Sequence, residues 1–451
     1  MSIAIYSNRC WLEGKLQPAT VCFENDIITE ILPEKKPGAI DVGDSILMPG
    51  VIDAHVHINE PGRTDWEGFD TATKAAAAGG VTTIVDMPLN ASPVTTTVKA
   101  FDEKLAASYN KLNVNVGFYA GLIPGNKDHL QGLIDAGVLG VKCFLVHSGI
   151  DEFPNVTKED IDEAMPIIAK ANIPLLAHCE IYDEEVENDF SRFTGSYKHY
   201  LESRPKKWEN DAIDMMIGLC RKHNCPTHIV HVSSAEALGS IAKAKKEGLP
   251  LTAETCAHYL YFNAENIPDE NCLYKCAPPI REKENNDLLK SALKNGVLDF
   301  ITTDHSPAPP DIKELKTGNL QKAWGGIAGI QFLMQSSWTA MRTQISLEEF
   351  IPLLTEKPAT FLKLGTRKGS IKVGLDADLV VWNPYEKHVI REEDILFRHK
   401  ISPYIGEELF GTIQQTIVNG VTVFENAEIV AEGKNSGKII LGDTASICGE
   451  K

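Results

Sequence analysis

Six side chains able to bind a metal fall at the ends of five separate apolar runs. They are His55 and His57 in Ala54-His55-Val56-His57, Lys142 in Gly140-Val141-Lys142-Cys143-Phe144, His178 in Leu175-Leu176-Ala177-His178, His231 in Ile229-Val230-His231, and Asp304 in Ile301-Thr302-Thr303-Asp304. Residues i and i+2 of a strand share a face, so His55 and His57 can aim at one centre. Imidazoles suit zinc, iron, cobalt or nickel, and carboxylates suit harder ions, so a mixed His/Asp set does not select one metal. An isolated His-x-His reads equally as a hydrogen-bonded pair at a strand end. Four further candidates at the ends of later strands turn the reading toward a metal site.

Lys142 has two readings. A protonated lysine on an apolar strand is costly to bury alone, so it either pairs with an acidic neighbour or has its pKa lowered by burial. In the second case the free amine can react with carbon dioxide to give a carbamate, an anion with two oxygens suited to bridging two cations.

Such residues need a scaffold that gathers several strand ends. A barrel of parallel strands places its catalytic groups at the carboxyl ends of different strands. Apolar strand candidates ending near His57, Asp86, Gly121, Phe144, His178, His231, Glu254 and Asp304 alternate here with helical patterns, as in βα units. Thr157-x-x-Asp160, Ser233-x-x-Glu236 and Ser346-x-x-Glu349 mark helix starts. The fold class is therefore α/β: a TIM-like (β/α)8 barrel over residues 48–365. Short alternating runs before Ser45 and again after Gly365 predict a second, smaller β-rich domain built from both chain ends, residues 1–47 with 366–451.

The chain has 451 residues, 43% of them apolar, enough for both cores. Its 44 basic and 62 acidic residues give a net charge of −18, which disfavours nucleic acid and anionic membranes as partners. No apolar run reaches about 18 residues, and the first residues begin a strand-like stretch rather than a signal peptide. Ten cysteines spread over this length form no small disulfide framework, and Cys272 and Cys276 lack a second pair for a zinc ribbon. A soluble cytoplasmic protein is expected.

The motif Asp53-Ala54-His55-Val56-His57-Ile58-Asn59-Glu60-Pro61-Gly62-Arg63-Thr64-Asp65-Trp66-Glu67-Gly68-Phe69 carries a strong resemblance. So do Lys142-Cys143-Phe144, Glu254-Thr255-Cys256-Ala257-His258-Tyr259-Leu260, Lys275-Cys276-Ala277-Pro278-Pro279-Ile280-Arg281, Asp304-His305-Ser306-Pro307 and Trp324-Gly325-Gly326-Ile327. Between Met48-Pro49-Gly50 and Asp376-Ala377-Asp378-Leu379-Val380 the chain resembles the cyclic amidohydrolases of the amidohydrolase superfamily, and among them the allantoinases. The resemblance implies two divalent metal ions per subunit, zinc first, with iron, cobalt or manganese as alternatives. His55, His57 and Asp304 would hold one ion, His178 and His231 the other, and carboxylated Lys142 would bridge them. Two cations lower the pKa of a shared water from 15.7 to about 7, and the resulting hydroxide would open a ring amide. Asp304 would act as base and then as acid toward the departing nitrogen. The substrate implied is the small molecule allantoin, opened to allantoate in purine-nitrogen catabolism, by a homo-oligomer (tetramer or dimer).

Departures from the sister families narrow the ring. Dihydroorotases carry an arginine two residues beyond the second histidine to clamp a carboxylate, where this chain has Asn59. Hydantoinases and dihydropyrimidinases place a tyrosine shortly after the bridging lysine, and none follows Lys142 here. Matched motifs nominate Asn90, Ser148 and Ser306 for substrate binding, with backbone from Pro278-Pro279 and Gly325-Gly326. Arg63 reads as a surface residue, His258 and His305 as structural, and Cys143 and Cys276 as packing. A non-enzymatic scaffold of the same fold would show a broken ligand set, and this set is intact.

Overall fold

The computed structural model describes residues 2–182, 194–430 and 436–442. Strands from both chain ends form one nine-stranded sheet. Ile3–Leu12, Lys15–Glu24, Ile27–Leu32, Ile40–Asp41 and Ile46–Pro49 join Leu379–Val389, Glu408–Val418, Val421–Glu425 and Glu428–Ile429. The seam is Ile46–Pro49, which pairs antiparallel with residues 379–382 on one side and parallel with Arg9 and Cys10 on the other. Alternation along these strands buries Ile5, Val21, Phe23, Leu47, Leu379 and Val381 in a separate apolar cluster.

The segment between carries parallel strands in two sheets. Val51–Val56, Val81–Asp86 and Asn115–Phe118 form one. Ala120–Gly121, Val141–Phe144, Leu175–His178, Thr227–Ile229, Leu251–Cys256 and Phe300–Thr302 form the other. Only Tyr119 separates the last strand of the first sheet from the first strand of the second. At the outer edges a parallel bridge links Val56 with His305, and His57 N–H donates to the His305 carbonyl at 2.8 Å. The strands are buried nearly throughout and rich in apolar and β-branched residues, as strands covered on both faces must be.

Helices return the chain between strands. Thr157 caps Lys158–Ala171 with its hydroxyl while Asp160 reaches back, and Ser346 with Glu349 does the same for Leu347–Phe350. Ser233 departs from expectation. Its N–H and that of Ser234 donate to the buried carboxylate of Glu209, its hydroxyl donates to the Pro279 carbonyl, and no helix starts on it. A tertiary acceptor thus takes the groups a local cap would have used.

Candidate metal centre

His55 and His57 leave the first parallel strand side by side, and Asp304 follows the last. Their donor atoms gather within 4.8 Å of one another. Asp304 Oδ1 lies 3.1 Å from His55 Nε2 and 3.2 Å from His57 Nε2. The rings of His178 and His231 stand 4.7 Å apart, and His231 is 5.5 Å from His55. Five of the six nominated side chains thus share one buried cluster. Lys142, on the strand Val141–Phe144, lies beside it with Nζ 4.6 Å from the Phe144 ring, which stacks on His178.

Three of the four histidines, His55, His57 and His178, have one ring nitrogen occupied by a partner. His55 Nδ1–H donates to Glu254 Oε1 at 2.6 Å, and Glu254 Oε2 accepts from His228 Nε2–H at 3.1 Å. His178 Nε2–H donates to Glu180 Oε2 at 2.8 Å, and Arg204 Nε donates to Glu180 Oε1 at 3.0 Å. The Asn90 amide lies 3.2 Å from His57 Nδ1. With its interchangeable carbonyl oxygen placed there, it accepts Nδ1–H and leaves Nε2 free. Carboxylate or carbonyl partners of this kind fix a histidine's tautomer and aim its other nitrogen.

Two buried nitrogens of the cluster, Lys142 Nζ and His231 Nδ1, have no hydrogen-bond partner. Burial pushes the Lys142 ammonium down to about 8, and no acidic side chain among the described residues hydrogen-bonds its nitrogen. Buried nitrogens without hydrogen-bond partners beside a His-His-Asp cluster fit a metal centre in their neutral forms, which offer a lone pair or a free amine. His231 and Asp304 also adopt left-handed backbone, φ 40° and 47°, a strain of about 1–3 kcal/mol each that clusters at functional sites.

Sequence reasoning quoted Glu254 within a motif but gave it no role, and it missed Glu180. The legible signal was position: Glu180 stands two residues beyond a strand-end histidine, and Glu254 lies on a strand otherwise bare of charge. Burial raises both carboxyls, but cationic neighbours outweigh it: Arg204 and His178 hold Glu180 at about 2, and His55 with His228 hold Glu254 at about 2. Asp53 accepts from the N–H groups of His55 and Thr303, tying the first strand to the last beneath the cluster.

The cluster floors a cavity of about 820 Å³. Asn90, Ser148 and Ser306 all line it. The Ser148 hydroxyl lies 2.6 Å from the Phe153 carbonyl, which turns its proton into its own loop. Ser306 Oγ accepts from Trp324 Nε1–H at 3.3 Å. Arg63 is not the surface residue expected. It lines the cavity and donates to the Asn90 carbonyl at 3.2 Å and to Glu152 at 2.7 Å. His305 Nδ1 accepts from Gly329 N–H at 3.1 Å. The nine described cysteines are all buried and unpaired, and no helix among the described residues is long and apolar enough to cross a membrane.

Residues 46–423 match the model of the amidohydrolase family. A probable allantoinase 2 of Dictyostelium discoideum is 42% identical over 88% of this chain and 81% of its own length. The allantoinase of Saccharomyces cerevisiae is 38% identical over 95% of this chain and 96% of its own length. Among solved structures, the L-hydantoinase of Arthrobacter aurescens superposes with a TM-score of 0.89 at 28% identity, covering 98% of this chain and all of that one. The chain therefore belongs to the amidohydrolase family and, within it, to the allantoinases.

Proposed function

We infer that this protein hydrolyses the hydantoin ring of allantoin to allantoate. The observation that carries the reading is a His-His-Asp cluster beside an unpartnered buried lysine, at the floor of a cavity whose two described arginines and Lys275 are already engaged. Arg63 is tied to Glu152, Arg204 to Glu180, and Lys275 to the carbonyls of Gln321 and Ala323. None of the three is left to clamp a substrate carboxylate, so an uncharged ring suits this cavity better than the acid a dihydroorotase takes. The tyrosine that lines it, Tyr200, donates its hydroxyl to the Cys276 carbonyl at 2.6 Å, which removes it as the oxyanion donor of a hydantoinase. The allantoinase relatives support the same substrate.

His55, His57 and Asp304 would hold one divalent ion, and His178 with His231 a second, zinc being the first choice by ligand type. Carboxylated Lys142 would supply the shared anion, its depressed pKa leaving free amine for carbon dioxide. Bound there, the ions would polarise the ring carbonyl and acidify the attacking water. Asp304 takes the water's proton on its carboxylate and delivers it to the ring nitrogen as the C–N bond breaks. Glu254, Glu180 and Asn90 hold the imidazoles in register. Ser306, whose oxygen already accepts from Trp324, keeps its own proton for a substrate carbonyl.

The two strand sets, continuous across Tyr119 and bridged at Val56–His305, are read as one eight-stranded barrel spanning 48–365, with residues 1–47 and 366–451 as the β domain. A homo-oligomer is proposed from the family, and a reducing compartment suits the unpaired cysteines.

The test is allantoin hydrolysis by protein prepared with metal and bicarbonate. A kcat/KM of about 10⁴ M⁻¹s⁻¹ or more is expected. No turnover by a sample carrying two metals per chain overturns the reading.

A further inference from the structure

Two lysines near the cavity bury their ammonium groups among backbone carbonyls instead of carboxylates. Lys313 sits in the turn-rich segment that follows the strand Phe300–Thr302. Its Nζ donates to the carbonyls of Lys275 at 2.9 Å, Trp324 at 3.0 Å and Gly326. Three protons meet three acceptors. Lys275, in the segment after the strand Leu251–Cys256, answers in the opposite direction. Its Nζ donates to the carbonyls of Gln321 at 3.0 Å and Ala323, and stands 5.5 Å from the Tyr200 ring. Both side chains are buried.

Burying an ammonium is costly unless hydrogen bonds replace its water. An apolar residue here would avoid that cost but leave these buried carbonyls without donors, so the lysines are matched to the carbonyls they gather. What this achieves is a lock between two loops: Lys313 gathers the Lys275 carbonyl together with the Trp324 and Gly326 carbonyls of its own segment, and Lys275 reaches across to the carbonyls of Gln321 and Ala323. Gly326 N–H also donates to the Lys275 carbonyl at 3.0 Å, closing the join. Gly326 also packs tightly on Ser306, where an added Cβ would sit 2.4 Å from the Ser306 carbonyl oxygen. Ala277 and Gly325, both on the cavity wall, are thereby set face to face, an added Gly325 Cβ falling 3.8 Å from that of Ala277.

We propose that Lys313 and Lys275 are positioning residues for ring opening, locking residues 324–326 against 275–277 so that this wall of the cavity meets the ring in one register. The proposal rests on the allantoin reading for its substrate and on the hydrogen-bond cage for its geometry. Neither lysine is placed among the metal ligands, so their loss should separate ring placement from metal binding.

The experiment compares wild type, Lys313→Met and Lys275→Met by metal content, by allantoin kinetics, and by amide hydrogen exchange over residues 321–327. Two metals per chain are expected in all three. KM should rise about tenfold or more in each variant with a smaller fall in kcat, the scale on which loss of substrate placement acts. Exchange over 321–327 should quicken about tenfold as the local lock opens. Wild-type KM and exchange in a folded Lys313→Met protein overturn the proposal. Should that variant not fold, Lys275→Met decides by the same readouts, and failure of both to fold counts against positioning in favour of plain structural support. If wild type itself leaves allantoin untouched, the substrate reading falls, and the exchange data still decide whether the lysines lock the wall.

Discussion

Lys368 and Lys142 are both fully buried lysines, one at the root of the nine-stranded sheet and one at the mouth of the parallel strands. Lys368 meets Asp376 at 2.9 Å and also Asp378. Asp378 in turn accepts from Asn115 Nδ2 at 3.0 Å and from Asn419 N–H at 2.7 Å, so every charge there is answered. Lys142 has an aromatic face beside it and no hydrogen-bond partner. Near-equal burial with opposite satisfaction separates a lysine that holds two carboxylates from one whose nitrogen is left free, the nitrogen proposed to take up carbon dioxide.

The sharpest way to break this contrast is to remove each ammonium. Lys142→Met should lower allantoin turnover by about three orders of magnitude or more, the several kcal/mol that metal-ion catalysis supplies. Metal analysis of the same protein should show ions lost. Lys368→Met should instead cost about 3–5 kcal/mol of stability in urea unfolding, because two buried carboxylates lose their cation. The folded fraction of that variant should keep wild-type kcat. The opposite pattern, stability lost at 142 and turnover at 368, would invert the comparison.

Acid sharpens it further. Glu180 titrates at about 2 in the folded protein against 4.5 for an ordinary glutamate. The unfolded chain then binds the extra proton between those values, so stability rises with pH across that window and is lost on acidification. About 3 kcal/mol should disappear between pH 4.5 and 2, and Glu180→Gln should flatten that limb of the denaturation curve. The smallest effect is expected from Glu254→Gln, which should weaken metal retention against a chelator by about 10–100-fold while the fold stands.

The gathering of the candidate ligands was legible because strands alternate and end. A histidine or aspartate closing an apolar run points to the same mouth as its counterparts, whatever the helices between do. The strand ends inferred near His57, Phe144 and His178 lie within one residue of those observed. The supporting shell was harder to see. Glu254 and Glu180 look like any acidic residue until the fold sets their oxygens 2.6 Å and 2.8 Å from ring nitrogens. Lys313 was invisible for a deeper reason: its acceptors are main-chain carbonyls, which carry no sequence letter. Ser233 misled because local rules assign its groups to a helix cap, whereas a carboxylate from another helix reached them first.

The sheet that unites the chain ends bears on how this protein is made. The strand Ile46–Pro49 must wait for residues 379–382, more than 300 residues later, before its outer edge is paired. At about 5–20 residues per second on the ribosome, that wait is tens of seconds. Meanwhile an apolar edge of the early strands stands open to other nascent chains. Expression yield should therefore respond to translation speed and chaperone supply more than to any change in the metal site.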